Sequence, residues 1–263
     1  MTRESVISKD ETKIGYTKFG TGPALIVVHG GYSIQQNWFA FARELAVTHT
    51  VYAYDRRGRG QSPDTGKSYT FDKELDDLAA MVALGGPGTS ILGHSFGGGI
   101  ALAYAMRDGF TGNVILYEPM NSILQQVSSG RLEEVKAFVD KGDLDAATFL
   151  IQTEIICQPK ADVDQFRKRM YWSVFCNYTP IFVREIEALD NLRPSAADAD
   201  KLKAKTWLLL GDQSWPKIRI ASAGLVSIIP GLTVYPILGQ HHLAHSDNPV
   251  LLKDLVLRCL MEN

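Results

Sequence analysis

The sequence predicts an α/β fold, a doubly wound and mostly parallel sheet with an inserted helical cap. Two observations lead to this prediction. Short apolar runs alternate with segments of helical spacing over the first 120 residues and again after position 198, whereas residues 121–198 show helical spacing alone. Strands that read as near-continuous apolar runs are typical of a parallel sheet covered by helices on both faces.

Eight segments have the composition of strands. The first two, VISKD and KIGYTKFG, predict an antiparallel hairpin at the edge of the sheet. The others are β-branched or aliphatic runs that stop at Gly, Asp or Pro: ALIVVHGG (24–31), TVYAYDRR (50–57), TSILGHSF (89–96), GNVILYEP (112–119), TWLLLG (206–211) and LTVYPILG (232–239). We therefore predict an eight-stranded sheet.

Helical spacing fills the gaps between these strands. In the sheet part of the chain it predicts helices at 37–47, 70–85, 96–109, near 218–229 and at 249–260. In the middle of the chain it covers RLEEVKAFVDKG, DLDAATFLIQTEII and the stretch 162–192. We predict a core of residues 1–120 and 199–263, with residues 121–198 forming a cap over one edge of the sheet.

Composition excludes several classes of protein. The 263 residues have a net charge of −2 and a pI near 6.3, so no basic field attracts nucleic acid or anionic membranes. No segment approaches the roughly 20 apolar residues of a membrane span, and the charged N-terminal segment does not resemble a signal peptide. Three widely spaced cysteines suit a reducing compartment. We therefore expect a cytoplasmic protein.

Gly93-His94-Ser95-Phe96-Gly97 matches the pattern G-x-S-x-G. The pattern is weak alone, but here a strand precedes it and a helix follows it. Such a turn strains the serine backbone and lifts its hydroxyl above the sheet, where it can act as a nucleophile. A glycine-rich phosphate loop of the form G-x-G-x-x-G would require glycine at position 95. The context therefore favours a nucleophile elbow.

Further motifs accompany this elbow: His29-Gly30-Gly31 after the third strand, the segment DRRGRGQS (55–62) after the fourth, and Gly-Gln-His-His near the end. In this combination the sequence resembles the α/β-hydrolase fold family along almost its whole length. The resemblance implies a serine-nucleophile enzyme of the esterase or lactonase type, with Ser95 as nucleophile. It also implies an oxyanion hole formed by the backbone N–H groups of Gly31 and Phe96.

Six histidines compete for the role of base. The family places its base after the last strand, in a Gly-x-x-His pattern, and counting from Gly239 selects His242 over His241. A neutral imidazole can take the serine proton and return it to the leaving group. The other histidines are expected in structural or peripheral positions: His29 under the oxyanion loop, His49 before a strand, His94 pointing away from the serine, and His245 at the surface or the site rim.

The acid of the family lies most often three residues after the glycine that ends the next-to-last strand, and that position holds Ser214. Three carboxylates remain as alternatives. Asp212 comes two residues too early, and Asp247 reads better as part of a helix start. Glu118 ends the strand beside the elbow strand, where some members of the family, including a fungal-toxin lactone hydrolase and pancreatic lipases, carry their acid. We favour Glu118 over Asp212.

A serine nucleophile indicates acyl transfer through an acyl-enzyme, so we expect cleavage of a carboxylic ester or lactone. Aromatic residues of the cap, with Trp38, suggest an apolar pocket for a small to medium substrate, and Tyr171, Trp172 and Phe175 are the cap residues we expect to line it.

Other functions stay open at this point. A thioesterase, an amidase or a C–C bond hydrolase would use the same machinery, and a non-hydrolytic lyase or a small-molecule receptor is the alternative of a different class. No metal ligand cluster is visible and no cofactor is implied. We expect a monomer or homodimer with a small-molecule substrate and with neither nucleic acid nor membrane as a partner.

Overall fold

A computed structural model describes residues 1–64, 68–107 and 109–262. It contains one eight-stranded sheet with the order β1-β2-β4-β3-β5-β6-β7-β8. The strands are β1 Thr2–Ile7, β2 Lys13–Phe19, β3 Ala24–Val28, β4 Thr50–Tyr54, β5 Ser90–His94, β6 Asn113–Tyr117, β7 Lys205–Gly211 and β8 Thr233–Ile237. The pairs β1–β2 and β2–β4 are antiparallel and the others are parallel, which confirms the predicted fold class and the N-terminal hairpin.

The central strands are buried on both faces because each contributes apolar side chains to two separate cores. In β3, Ile26 and Val28 belong to one core, whereas Leu25 and Val27 belong to the other. The first core lies under α2 (Phe71–Gly85) and α3 (Phe96–Arg107), and the second lies under α1 (Phe39–Leu45) and α12 (Pro249–Met261). Full burial of a side chain of this size contributes roughly 1.5–3 kcal/mol, so these runs form strands only between two covering layers.

Local signals end or begin several of these helices. Gly86, with φ of 77°, caps the C-terminus of α2. Pro249 lies in the first turn of α12, and the Asn248 side chain accepts a hydrogen bond from Leu251 N. The predicted helix 96–109 ends at Arg107, and position 108 lies outside the described residues.

Between β6 and β7 the chain is helical, as the spacing predicts. This segment contains α4 Leu132–Asp140, α5 Leu144–Leu150, a π-helical turn Ile151–Ile155, α6 Lys160–Arg167, α7 Tyr171–Cys176, α8 Thr179–Asp190 and α9 Ala196–Ala199. The stretch 162–192 is therefore three helices rather than one. The boundaries of core and cap stay predictions.

The remaining helices return the chain to the sheet edge: α10 Pro216–Ile228 precedes β8, and α11 Ala244–Asp247 precedes α12. None of the helices in the described ranges is both long and apolar enough to cross a lipid bilayer.

Candidate active site

Ser95 occupies a strained turn between β5 and α3. Its φ is 55°, a left-handed conformation that is costly for a residue with a Cβ atom. Backbone hydrogen bonds to the end of β6 and the residues after it hold this turn. Ser95 N donates to Tyr117 O at 3.1 Å, and Ser95 O accepts from Met120 N at 2.9 Å. A Cβ atom at Gly97 would lie 2.1 Å from Val28 O, so only glycine lets the helix start this close to the sheet. The predicted elbow is therefore present.

Glu118 and His242 form a buried pair beside this elbow. Glu118 Oε2 lies 2.6 Å from His242 Nδ1, and the two side chains are 0% and 9% exposed. Because the carboxylate contacts Nδ1, this nitrogen carries the proton and Nε2 keeps its lone pair. Glu118 itself has φ of 46°, a second strained residue at the end of a strand. An imidazole held in this way can accept a proton from a hydroxyl.

The other carboxylate oxygen explains the serine at the family's acid position. Glu118 Oε1 accepts hydrogen bonds from Gly211 N at 2.8 Å and from Ser214 Oγ. Ser214 thus supports a carboxylate that comes from the neighbouring strand. Asp212 is exposed and binds Gly239 N at 2.8 Å, and Asp247 lies 3.6 Å from His241 rather than at His242.

The sequence suggested that His94 points away from the serine, but its side chain lies at the site. Its ring centroid lies 4.4 Å from that of His242, and its Nε2 lies 3.0 Å from His242 O, so it packs beneath the imidazole. Burial keeps the pKa of His94 well below its usual range. A neutral ring here supports His242 without adding a charge that would oppose its protonation.

Trp38 corrects a further prediction, and His245 takes one of its two expected positions. Trp38 is fully buried and is not among the residues that line the cavity at Ser95, because the 3₁₀ helix Gln35–Trp38 is anchored by Gln35 to Asp55 and turns the indole into the core. Its ring stacks on His245 with centroids 4.4 Å apart. His245 is therefore buried rather than at the surface, and it borders the cavity, which agrees with the other expected position at the rim of the site.

The buried His245 predicts acid lability. Burial lowers its pKa from 6.5 to about 3, with a further contribution from His242. Between these values the unfolded chain binds a proton at this position and the folded chain does not, so stability falls as pH decreases through 6.5. At pH 5 this residue should cost about 2 kcal/mol relative to neutral pH. Urea unfolding of the wild type and His245→Phe at pH 7 and 5 tests this. The variant should lose about 2 kcal/mol less on acidification, and equal losses would contradict it.

Buried side chains orient the loop after β3 by donating hydrogen bonds to its carbonyl groups. Gly30 O accepts from His29 Nδ1 at 2.8 Å and from Arg56 Nη1 at 3.2 Å, and Gly31 O accepts from Arg59 Nε at 2.8 Å. In a trans peptide the N–H points opposite to the C=O. The Gly31 N–H therefore points away from Arg56, on the side where the loop borders the cavity.

Phe96 supplies the other predicted donor. It is the first residue of α3, and the first N–H groups of a helix have no partner within it. The ring of Phe96 is buried under the Arg56 guanidinium, 4.1 Å from its centroid, so this end of the helix is fixed. Both predicted oxyanion donors are thus backbone groups on rigid supports.

A buried ion network ties this loop to the cap. Glu185, on α8, lies 2.6 Å from Arg56 and 2.7 Å from Arg59, and Glu74 lies 2.6 Å from Arg56. All four side chains are 0% exposed. Burial lowers the pKa of Arg59, and Glu185 opposes that shift. The two arginines that hold the carbonyls of the loop are therefore neutralised in part by a residue of the cap.

Ser95, His242 and Gly31 share one cavity of ≈ 450 Å³ between the sheet and the cap. Of the predicted pocket residues, Tyr171 and Phe175 line it, with Tyr171 largely exposed at the mouth. Trp172 does not line it, because its ring is buried against Val163 and Cys176 and its Nε1 donates to Asp145 at 2.7 Å.

Sequence reasoning missed several residues of the cavity wall. They belong to the loop after β3, the cap and the loop after β7: Tyr32, Gln152, Ile156 and Trp215. Phe182, on α8, packs on the loop so closely that a Cβ atom at Gly31 would lie 2.1 Å from its ring. For Trp215 a signal existed, since it directly follows Ser214. Among the described residues, no three His, Cys, Asp or Glu side chains are placed to hold a metal ion.

The parallel sheet, the serine elbow and the cavity under a helical cap define an α/β-hydrolase type of fold and site. Comparison with known proteins agrees, because residues 25–254 match the model of the alpha/beta hydrolase family. The chain belongs to this family. An alpha/beta hydrolase from Sphaerobacter thermophilus superposes with a TM-score of 0.86, at 24% identity, covering 98% of this chain and 100% of that one.

Curated relatives are similar over shorter segments. The chain is 35% identical over 106 residues to a non-heme haloperoxidase of Rhodococcus erythropolis, covering 40% of this chain and 39% of the relative. It is 35% identical over 109 residues to a bifunctional esterase/perhydrolase of Acinetobacter calcoaceticus, covering 39% and 38%. These matches therefore span less than half the length of either relative. The esterase RhEst1 from a Rhodococcus species superposes with a TM-score of 0.72 at 20% identity, covering 100% of this chain and 99% of that one.

Proposed function

We propose that this protein is a serine hydrolase that cleaves a carboxylic ester or lactone through an acyl-enzyme. In this proposal Ser95 is the nucleophile, His242 the base and Glu118 the acid that orients it, and the N–H groups of Gly31 and Phe96 form the oxyanion hole. The observation that carries the proposal is the 2.6 Å contact of Glu118 with His242 in the cavity that Ser95 lines.

The chemistry follows from these positions. Ser95 Oγ attacks the ester carbonyl carbon while His242 Nε2 accepts the hydroxyl proton. The carbonyl oxygen becomes an oxyanion that the two backbone N–H groups stabilise, and Glu118 stabilises the imidazolium. When the C–O bond to the alcohol breaks, His242 donates its proton to the leaving oxygen. Water then repeats the sequence on the acyl-enzyme, releasing the acid and restoring the Ser95 hydroxyl.

The cavity supports an uncharged, largely apolar substrate of small to medium size. Aromatic rings form much of its wall, including Phe166, Phe175 and Phe182. No Lys or Arg side chain is among the described residues that line it, so a charged acyl group would lack a partner. One curated relative is named an esterase/perhydrolase and two structural neighbours are named esterases, and these names point to the same reaction class.

Covalent labelling tests the proposal. A fluorophosphonate should phosphonylate the folded protein once, and peptide mapping by mass spectrometry should locate the adduct on Ser95. Ser33 lines the same cavity and has no histidine partner among its recorded contacts, so it serves as an internal control and should stay unmodified. The proposal also requires hydrolysis of short p-nitrophenyl esters or of lactones. A folded protein that is neither labelled nor active on any of these would favour a receptor or a lyase.

A further inference from the structure

The cap contributes to the cavity wall a buried polar side chain that the proposed chemistry does not use. Gln152 lies in the π-helical turn Ile151–Ile155, where Ile156 N donates to Ile151 O at 2.9 Å. Such turns are rare within helices and occur frequently at functional sites. The wider turn interrupts the face of α5, and Gln152 lies in the wall of the cavity that contains Ser95 and His242.

The amide of Gln152 is only half satisfied. Its Oε1 accepts from Gln158 Nε2 at 2.6 Å, whereas its Nε2 has no hydrogen-bond partner among the described residues. The residue is 1% exposed. Leaving a buried donor unpaired costs roughly 1–3 kcal/mol, and an acceptor on a ligand in this cavity would offset that cost. Most cap residues that share this wall, such as Ile156 and Val174, cannot accept a hydrogen bond.

We propose that Gln152 determines substrate specificity: its Nε2 donates to a second, uncharged oxygen acceptor, a ketone, ether or ester oxygen remote from the bond that is cleaved. The inference rests on the proposed function, because it names the substrate class of the same serine site. The acceptor is uncharged because the wall carries no Lys or Arg among its described residues. Gln158 is a positioning residue, since it donates to the Gln152 carbonyl oxygen and leaves the NH₂ group without a partner among the described residues.

Matched pairs of esters test this proposal on both sides of the scissile bond. On the acyl side, p-nitrophenyl 4-oxopentanoate is compared with p-nitrophenyl pentanoate. On the alcohol side, 2-methoxyethyl acetate is compared with butyl acetate by pH-stat titration. The ratio of kcat/KM within each pair is measured for the wild type and for Gln152→Met. Intrinsic reactivity of the esters cancels in this comparison, because it is the same for both proteins.

In one of the two pairs the wild type should favour the oxygenated ester about tenfold more strongly than Gln152→Met does. Gln152→Leu also removes the donor without adding a charge, so it should lose the preference as well and serves if the methionine variant does not fold. Thr153→Val is the matched control on the same π-helical turn, because Thr153 bonds Phe149 O and does not line the cavity.

The outcomes separate this inference from the proposed function. Equal ratios for the wild type, Gln152→Met and Gln152→Leu in both pairs would overturn the role of Gln152, while hydrolysis that depends on Ser95 would still support the esterase. A loss of preference in Thr153→Val of the same size would also overturn it, because the effect would then belong to the turn. If none of the esters reacts faster than with Ser95→Ala, the function and this inference fall together.

Discussion

Glu118→Gln is expected to lower kcat for a p-nitrophenyl ester about 10⁴-fold at pH 7 to 8. The glutamine keeps the shape of the side chain but loses the charge that stabilises the imidazolium of His242. Its amide can also donate to Nδ1, which favours the wrong tautomer, with the proton on Nε2 facing the serine. KM should change little, because the variant removes an interaction that strengthens only when His242 becomes charged. Steady-state kinetics on the folded variant measures both quantities.

Asp212→Asn is the matched control for this prediction. Asp212 lies in the loop where the family's acid usually resides, but its carboxylate is exposed and binds Gly239 N. We expect kcat within about twofold of the wild type, as is usual for surface substitutions. Ser214→Ala removes one of the two donors to Glu118 Oε1, so we expect it to lower kcat about tenfold. A large loss in Asp212→Asn with near-normal activity in Glu118→Gln would reassign the acid.

Much of the fold was predictable because its signals are local or periodic. The runs that became β3, β4 and β5 are apolar at successive positions, which only a strand covered on both faces requires. The elbow was anticipated from its motif between a strand and a helix. The Glu118–His242 contact was anticipated from the family resemblance, which implies a base after the last strand and, in some members, an acid at the end of the strand beside the elbow strand. The catalytic roles of these residues stay predictions until the variants are measured.

The errors concern side chains whose direction depends on distant partners. Trp38 comes shortly after the loop that follows β3 and resembles a pocket residue, but the hydrogen bonds of Gln35 to Asp55 turn its helix inward. Trp172 has helical spacing that fits either a pocket or a cap core, and Asp145 decides for the core. The π-helical turn at Gln152 has no sequence pattern of its own, since the segment reads as one continuous helix. These features depend on contacts between segments far apart in the sequence.

The ion network under the cap also depends on contacts between segments far apart in the sequence. Breaking it should have the largest effect on stability. Arg56 and Arg59 lie in the loop after β4 and Glu74 lies in α2. Glu185 comes from α8, more than 100 positions later. Without Glu185, Arg59 keeps only the Gly31 carbonyl as an acceptor among its recorded hydrogen bonds. Arg56 then keeps a single carboxylate partner, that of Glu74. A buried arginine deprived of its carboxylate retains the full cost of dehydration.

Glu185→Gln should therefore lower the free energy of unfolding by about 3–5 kcal/mol and reduce Tm by on the order of 10 °C. Glu187→Gln is the control, because Glu187 lies on the same helix, is exposed, and pairs with Lys136 at 3.1 Å. Glu187→Gln should lower the free energy of unfolding by less than about 0.5 kcal/mol.

Below its lowered Tm, the folded Glu185→Gln protein should also show reduced kcat. The reason is that Arg59 holds the Gly31 carbonyl, next to the Gly31 N–H that is the proposed oxyanion donor. Equal stability of the two variants in urea unfolding would show that solvent or a shifted side chain compensates Arg59, and a normal kcat would uncouple the network from the oxyanion loop.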